Sequence, residues 1–165
     1  MEIALDIKLH PKQQEIADSP ALNIVVKAGK RFGKSELAVY KTIKAAGSLN
    51  KLFWYIAPYY SHAEGIAWQR FNDLIPLKLV KRIQENKLTI EVVTGSKIVL
   101  KGADNQGSLR GPKLDGVIFD EAAYMDEYIW NNIIRGQLAG IKGEPPGFAF
   151  FISSPLNPLQ VVGKD

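Results

Sequence analysis

The sequence predicts an α/β fold in which a mainly parallel sheet is covered by helices on both faces. Short apolar runs rich in β-branched and aromatic residues alternate with amphipathic segments, which is typical of strand–helix–strand units. Most of the runs are apolar on both faces, as expected for strands inside a covered parallel sheet. One pair of runs surrounds a Gly-containing turn and instead predicts an antiparallel β-hairpin.

The first half of the chain predicts three helices that alternate with two buried strands. The expected elements are a helix at 9–18, a strand at 21–27, a helix at 34–47, a strand at 51–58 and a helix at 62–75. Pro11 suits a first helical turn, Gly47 suits a helix end, and Pro58 stops the second strand. Ser61 is placed to cap the third helix.

The second half predicts the hairpin, two more strands and one amphipathic helix. The expected elements are the hairpin at 87–102, a strand at 117–119, the helix at 127–140 and a buried strand at 147–155. No linker or internal repeat interrupts the pattern. We therefore interpret the chain, 1–165, as one domain.

Length and composition agree with an intracellular globular domain. Of the 165 residues, 46% are hydrophobic and 23% charged, as in ordinary soluble domains. The chain has no cysteine and two histidines, which excludes a disulfide framework, a thiolate metal site and a histidine-rich metal centre. No apolar run approaches the roughly 20 residues of a membrane span. The net charge of +4 suits a polyanionic partner and equally a solvated basic surface.

The loop VVKAGKRFGKS carries the clearest chemical signal. A phosphate-binding loop has a glycine, four residues and then Gly-Lys-Ser or Gly-Lys-Thr, and here Ala28 takes the place of the opening glycine. A strand enters the loop and a helix leaves it, which points backbone N–H groups at a bound anion. Gly33 would let the backbone approach the phosphates, Lys34 would reach the β- and γ-phosphates, and Ser35 would bind Mg²⁺. The alternative is a helix that merely begins with these residues.

The run GVIFDE supplies the acids that such a loop needs. Asp120 follows the strand directly and would hold the phosphate-bound Mg²⁺, usually through water, because ligands gather at the carboxyl ends of parallel strands. Glu121 can polarise the water that attacks the γ-phosphate. The alternative is a strand that ends in two exposed acids. Together the loop and the acids predict a three-layer P-loop NTPase fold that hydrolyses ATP.

The last strand, in FFISSP, ends in small hydroxyl residues. Ser153 could contact the γ-phosphate or the attacking water and thereby report loss of the phosphate. Taken alone, the segment is better explained by a strand whose end is capped by serines before a proline turn.

Several segments, in this order, resemble the large terminase subunit, the DNA-packaging motor of tailed bacteriophages. The segments are LHPKQQEI, VVKAGKRFGKS, WYIAPYYSHAEGIAWQRF, LKGADNQGSLRGPKLDGVIFDEAAYM and FFISSP. The resemblance implies an ATPase domain that uses ATP and Mg²⁺ and drives double-stranded DNA into a procapsid. It also implies assembly as a homo-oligomeric ring, a portal protein and a small terminase subunit as partners, no membrane, and a place in the cytoplasm of the infected host cell.

The resemblance extends to residues inside the phosphate loop. Terminase loops commonly carry arginine there, and this chain has Lys30 and Arg31 in that place. Lysine keeps the charge of an arginine but loses its planar fork, so we favour Arg31 as the sensor of nucleotide state over Lys30. The nucleotide-binding loop implied by the resemblance comprises Ala28, Gly29, Lys30, Arg31, Phe32, Gly33, Lys34 and Ser35.

The same resemblance implies roles for two further residues. Gln13 matches the glutamine that contacts the adenine edge in the family, with Gln14 as the competing choice. Arg110, in SLRG, matches an arginine that acts on the nucleotide of a neighbouring subunit. An arginine supplied in this way stabilises the charge that develops on the γ-phosphate.

Whole large terminases add a C-terminal nuclease, and no cluster of metal-binding acids is evident in this sequence. We therefore expect an ATPase domain that is a fragment of a longer chain, without nuclease activity. Two other functions fit the motifs less well: a helicase-like ATPase driven by nucleic acid, and a nucleotide-binding regulatory module without turnover. Glu121 argues against the second, because binding alone needs no residue that activates water.

Overall fold

The computed structural model describes residues 1–155, so residues 156–165 of the expected domain lie outside the described part. In the described part of the chain, seven strands form one sheet. The strands are β1 (Asn23–Lys27), β2 (Leu52–Ala57), β3 (Val80–Gln84), β4 (Thr89–Val92), β5 (Lys97–Gly102), β6 (Gly116–Asp120) and β7 (Phe148–Ser153). The strand order is β1-β7-β6-β2-β5-β4-β3.

The sheet is parallel from β1 to β5 and antiparallel beyond it. Strands β1, β7, β6, β2 and β5 pair with one another in parallel. Strand β4 pairs antiparallel with both β5 and β3. The predicted α/β fold with a mainly parallel sheet and an antiparallel hairpin is therefore confirmed.

Four helices accompany the sheet within residues 1–155. They are α1 (Pro11–Ala17), α2 (Lys34–Ala45), α3, made of Tyr60–His62, Ala63–Ala67 and Trp68–Leu74 in succession, and α4, made of Ile129–Ile134 and Arg135–Gln137. The middle segment of α3 and the first segment of α4 have the wider π-helical geometry. None of the helices in residues 1–155 is long and apolar enough to cross a membrane.

Two apolar clusters, one on each face of the sheet, form the core. Along β2 the side chains alternate, so that Tyr55 joins the cluster under α2 and α3 while Trp54 joins the cluster under α4. This alternation follows from the two-residue period of a strand. Phe71 of α3 and Ile133 of α4 pack into these two clusters, which gives the three-layer arrangement expected for a covered parallel sheet.

Two details differ from the sequence-based expectations. The strand β3 was not predicted, because it is a polar edge strand in VKRIQ and lacks an apolar run. Ser61 does not cap α3: the helix begins after Tyr59, without a side-chain cap. The backbone N–H of Tyr60 is instead satisfied by Asp104 Oδ1, at 2.9 Å, a partner from a distant loop that local sequence cannot indicate.

Candidate nucleotide site

The phosphate loop connects the end of β1 to the start of α2. Lys30–Phe32 form one 3₁₀ turn, and Gly33 follows with φ 79° and ψ 33°. That left-handed conformation favours glycine. A Cβ at Gly33 would also lie 2.5 Å from Gln13 Nε2, so a larger residue would disturb the loop as well as strain it. Helix α2 then begins at Lys34, and its first backbone N–H groups are available to an anion.

Lys34 spans the mouth of this loop. Its side chain is buried, and Nζ donates to the carbonyl oxygens of Ala28, at 2.7 Å, and Gly29, at 3.0 Å. An ammonium group has three N–H donors, and within residues 1–155 these two bonds are its hydrogen bonds. The geometry therefore fixes the charge at the helix start and leaves one donor for a phosphate oxygen.

Asp120, at the end of β6, is a buried carboxylate held by Tyr55. The Tyr55 hydroxyl donates to Asp120 Oδ2 at 2.7 Å, and His62 Nε2 lies 3.8 Å from the same oxygen. Burial raises the pKa of Asp120, and the Tyr55 hydrogen bond and the neighbouring His62 partly offset that rise. Burial and the Asp120 charge together raise the pKa of Tyr55 well above its ordinary value, so Tyr55 remains a hydrogen-bond donor.

The residues at this point fit a magnesium ion carried by a nucleotide. Asp120 Oδ1 has no hydrogen-bond partner among residues 1–155, unlike Oδ2. The Ser35 side chain is near enough to the same Tyr55 to lower its pKa. A hydroxyl and a carboxylate thus lie near one tyrosine, and both groups are ligands that Mg²⁺ accepts. No group of three or more histidine, cysteine, aspartate or glutamate side chains in the described chain could hold a metal alone. Phosphate oxygens would have to complete the coordination.

Glu121 follows Asp120 but points elsewhere. Its backbone is in the left-handed region, with φ 50° and ψ 46°, which is unusual for a residue other than glycine and is found preferentially at functional sites. The turn places its side chain in the wall of a cleft. There it accepts long hydrogen bonds from the Ser154 backbone N–H, at 3.4 Å, and the Ser154 hydroxyl, at 3.5 Å.

The cleft has a volume of about 760 Å³ and brings the two motifs together. The loop and the start of α2 contribute Lys30, Gly33, Lys34, Ser35 and Glu36. The strand ends contribute Glu121 and Ser154. Helix α3 forms the remaining wall with Gly65, Ile66, Gln69, Arg70, Asp73 and Leu74. Lys34, Ser35 and Glu121 thus share one cleft, while the buried Asp120 is not among the side chains that line it.

Gln13, rather than Gln14, contacts the phosphate loop. Its Nε2 donates to the carbonyl oxygens of Phe32, at 3.2 Å, and Gly33, at 3.0 Å. Its Oε1 accepts from the backbone N–H of His10 at 3.0 Å. Gln14 is exposed and donates to Asp18 instead. Gln13 therefore ties α1 to the loop, and its amide would have to exchange partners to contact a base.

Two other predicted residues, Arg31 and Ser153, do not line the cleft. Of the basic pair, Lys30 lines the cleft, whereas Arg31 is exposed and is not among its lining residues. The Ser153 hydroxyl accepts from the backbone N–H of Ala123, at 3.4 Å, and donates to the carbonyl oxygen of Ser154, at 3.2 Å. Ser154, which the sequence-based prediction passed over, is the serine that lines the cleft.

Arg110 is also placed outside the cleft of its own chain. It follows the 3₁₀ turn Gln106–Leu109, is exposed, and donates to the Tyr128 hydroxyl at 3.3 Å. It is not among the residues that line the cleft.

Sequence reasoning missed the contributions of Tyr55 and Arg70. A tyrosine in an otherwise apolar strand is a weak signal, because a buried hydroxyl usually finds a partner, but the identity of that partner depends on the β2–β6 pairing. Arg70 belongs to an amphipathic helix whose π turn changes which side chains face the cleft. No pattern in the sequence marks that turn.

Comparison with known proteins identifies the family. No protein-family model matches the chain. The large terminase subunit of Thermus phage G20c is 32% identical over an alignment of 175 positions, gaps included. The alignment covers 92% of this chain and 34% of that protein. The large terminase subunit of Escherichia phage T5 is 33% identical over 128 residues, or 76% of this chain and 28% of that protein. The chain thus spans roughly a third of the length of these relatives.

Solved structures of large terminases also resemble the chain. The ATPase domain of the large terminase of Thermus phage P74-26 has a TM-score of 0.78 at 29% identity, covering 91% of this chain and 67% of that one. The large terminase of the thermophilic bacteriophage D6E, in complex with ATP-γ-S, has a TM-score of 0.65 at 18% identity over 92% of this chain and 39% of that one, which shows the fold alone. The chain therefore belongs to the large terminase family and corresponds to its ATPase domain.

Proposed function

We propose that the chain is the Mg²⁺-dependent ATPase domain of a viral DNA-packaging motor. The observation that carries the proposal is the shared cleft, in which the Lys34 amine at the start of α2 and the Glu121 carboxylate after β6 line one volume. A site that only binds nucleotide needs the first group and not the second. The relatives named terminase support the same conclusion.

Binding is explained by the loop and by α2. The first N–H groups of α2 and the positive end of its dipole attract the phosphates of ATP. Lys34, fixed by the carbonyl oxygens of Ala28 and Gly29, donates to the β- and γ-phosphates. Gln13 lies against the same loop and is the candidate for contact with adenine.

Hydrolysis is assigned to Glu121. The oxygen of a water molecule attacks the γ-phosphorus, its proton passes to the Glu121 carboxylate, and the bond to ADP breaks. Ser154 holds the carboxylate in the cleft by two hydrogen bonds. Ser35 and Asp120 would hold Mg²⁺, which neutralises phosphate charge when bound. Tyr55 keeps Asp120 oriented.

Coupling to DNA belongs to the assembled motor. We propose that several copies form a ring with a portal protein and a small terminase subunit, in the cytoplasm of the infected cell, and move double-stranded DNA into a procapsid. The net charge of +4 is compatible with that polyanionic partner. In such a ring the exposed Arg110 serves the cleft of the neighbouring copy.

Replacement of Lys34 tests the nucleotide site. Lys34→Ala removes the only side-chain amine that bridges the loop within residues 1–155, so we expect affinity for Mg·ATP to fall about 100-fold or more, as when one partner of a buried charged pair is truncated. Calorimetric titration with ATP-γ-S measures it. Lys87→Ala, an exposed lysine between β3 and β4, is the matched control. Unchanged affinity in Lys34→Ala would reject the assignment of the loop.

A further inference from the structure

Helix α3 forms a wall of the nucleotide cleft that none of the recognised motifs includes. Ala63, Ala67 and Phe71 of α3 are buried in the core, while Arg70 and Gln69 line the cleft. The π turn at Ala63–Ala67 sets this division, because its wider turn changes which later residues face the core. Such turns are frequent at functional sites.

Arg70 carries a charge that the described chain does not pair. Among residues 1–155 it makes no hydrogen bond and no ion pair. The acid nearest to it along α3, Asp73, accepts a hydrogen bond from Gln69 at 2.7 Å instead. The half-buried guanidinium therefore lines the cleft with its donors available.

The charge of Arg70 acts on two residues beside the cleft, Tyr55 and Asp120. Burial is the largest cause of the raised pKa of both Asp120 and Tyr55, and the Arg70 charge lowers the pKa of each. Arg70 thus lies within electrostatic reach of the carboxylate that would hold the metal. Arg70 and Lys34 line the same cleft, one from α3 and the other from the start of α2.

We propose that Arg70 is a phosphate-binding residue that donates to the terminal phosphate of the nucleotide held by its own chain. The inference rests on the proposed function and adds a residue to it. A guanidinium presents a planar fork of donors that matches two phosphate oxygens at once. Lys34 approaches from the loop and Arg70 from α3, so the γ-phosphate is held between two elements. ADP, which lacks that phosphate, engages Lys34 and leaves Arg70 without a ligand.

The test compares a triphosphate with a diphosphate. Arg70→Ala and Arg70→Lys are titrated by calorimetry with ATP-γ-S and with ADP in the presence of Mg²⁺, and thermal unfolding of each variant checks the fold. We expect Arg70→Ala to lose about tenfold or more in affinity for ATP-γ-S, as for lost hydrogen bonds to a charged group, while its affinity for ADP changes less than about twofold. Arg70→Lys should fall between wild type and Arg70→Ala. Arg82→Ala, an exposed arginine on β3, is the control for loss of one positive charge.

Each outcome separates this inference from the proposed function. Equal losses for ATP-γ-S and ADP, or no loss for either, would overturn the assignment of Arg70 while the Lys34 result still supported a nucleotide site. If Arg70→Ala lowers the unfolding temperature and Arg70→Lys fully restores both affinities, the side chain supplies only structural charge and the inference is wrong. If wild type binds neither nucleotide, the proposed function itself fails.

Discussion

Asp120 and Glu121 are neighbours in the chain with opposite surroundings. Asp120 is the last residue of a buried strand and is 5% exposed, held by Tyr55 beneath the sheet edge. The left-handed backbone of Glu121 turns the next side chain into the cleft. One residue is thus suited to hold a metal in a fixed position, and the other to meet a water molecule. The turn between them separates the two roles.

Removal of the Tyr55 hydroxyl tests whether Asp120 must be held. Tyr55→Phe leaves the ring packed but removes the donor to Asp120 Oδ2. Groups that orient a metal ligand are worth about 10–100-fold in metal affinity, so we expect the Mg²⁺ concentration for half-maximal nucleotide binding to rise about tenfold. A fluorescent ADP analogue, titrated with Mg²⁺, reports this directly.

The control for that substitution is Tyr59→Phe, since the Tyr59 side chain is 63% exposed. Nucleotide binding without Mg²⁺ should be the same in wild type and in both variants. A Tyr55→Phe protein with the Mg²⁺ requirement of wild type would show that the hydroxyl contributes to folding alone.

At the scale of elements, the apolar strands were predictable and the polar ones were not. Strands β1, β2, β6 and β7 coincide with apolar runs because at least one face of each strand packs against the apolar core. Strand β3 was not predicted from the sequence. It lies at the sheet edge, pairs only with β4 in the described part of the chain, and has no fully buried side chain. Helix α3 was predicted, but its start was not, because its first N–H is satisfied by Asp104 from a distant loop.

The residues of the candidate site likewise include some that the sequence predicts and some that it does not. Lys34, Ser35, Asp120 and Glu121 occur in local motifs whose geometry follows from a strand, a loop and a helix, so the sequence predicts them. The exposure of Arg70 to the cleft depends on the register of α3 after its π turn. No local sequence pattern marks that turn.

Helix α1 shows how a short element can serve the site. Its first turn is closed by a capping box in which His10 and Gln13 exchange hydrogen bonds. The Gln13 amide also donates to the loop carbonyls of Phe32 and Gly33. A change in the loop would therefore act directly on the packing of α1. We expect Gln13 to give up one of these bonds when it contacts a base.

At the scale of the whole molecule, the proposed role of Arg110 requires more than one copy of the chain. Arg110 is exposed and contacts Tyr128, whereas the cleft of its own chain already contains Lys34 and Arg70. An arginine supplied by a neighbour is worth about 10³–10⁵ in rate in well-studied nucleotidases. The isolated domain should therefore hydrolyse ATP slowly.

Mixed subunits test the shared site. Arg110→Ala should leave nucleotide affinity nearly unchanged and reduce the rate of the assembled motor, and Asp120→Ala should be inactive. In a mixture, some interfaces join an intact cleft to an intact arginine, so activity should exceed that of either variant alone. ATPase rates are compared under conditions in which the proteins assemble. A mixture no faster than its components would place Arg110 within its own subunit or in a structural role.

The central claim is that the cleft between α2, α3 and the end of β6 hydrolyses ATP, with Glu121 accepting the proton. The most direct measurement is phosphate release by Glu121→Gln, with ATP-γ-S affinity measured on the same sample and Glu85→Gln, an exposed site between β3 and β4, as control. The amide keeps the shape of the side chain but cannot take a proton. The account predicts near-normal binding and a loss of about 10²–10⁴ in rate, the range for general-base catalysis. Near-native phosphate release by Glu121→Gln would contradict it.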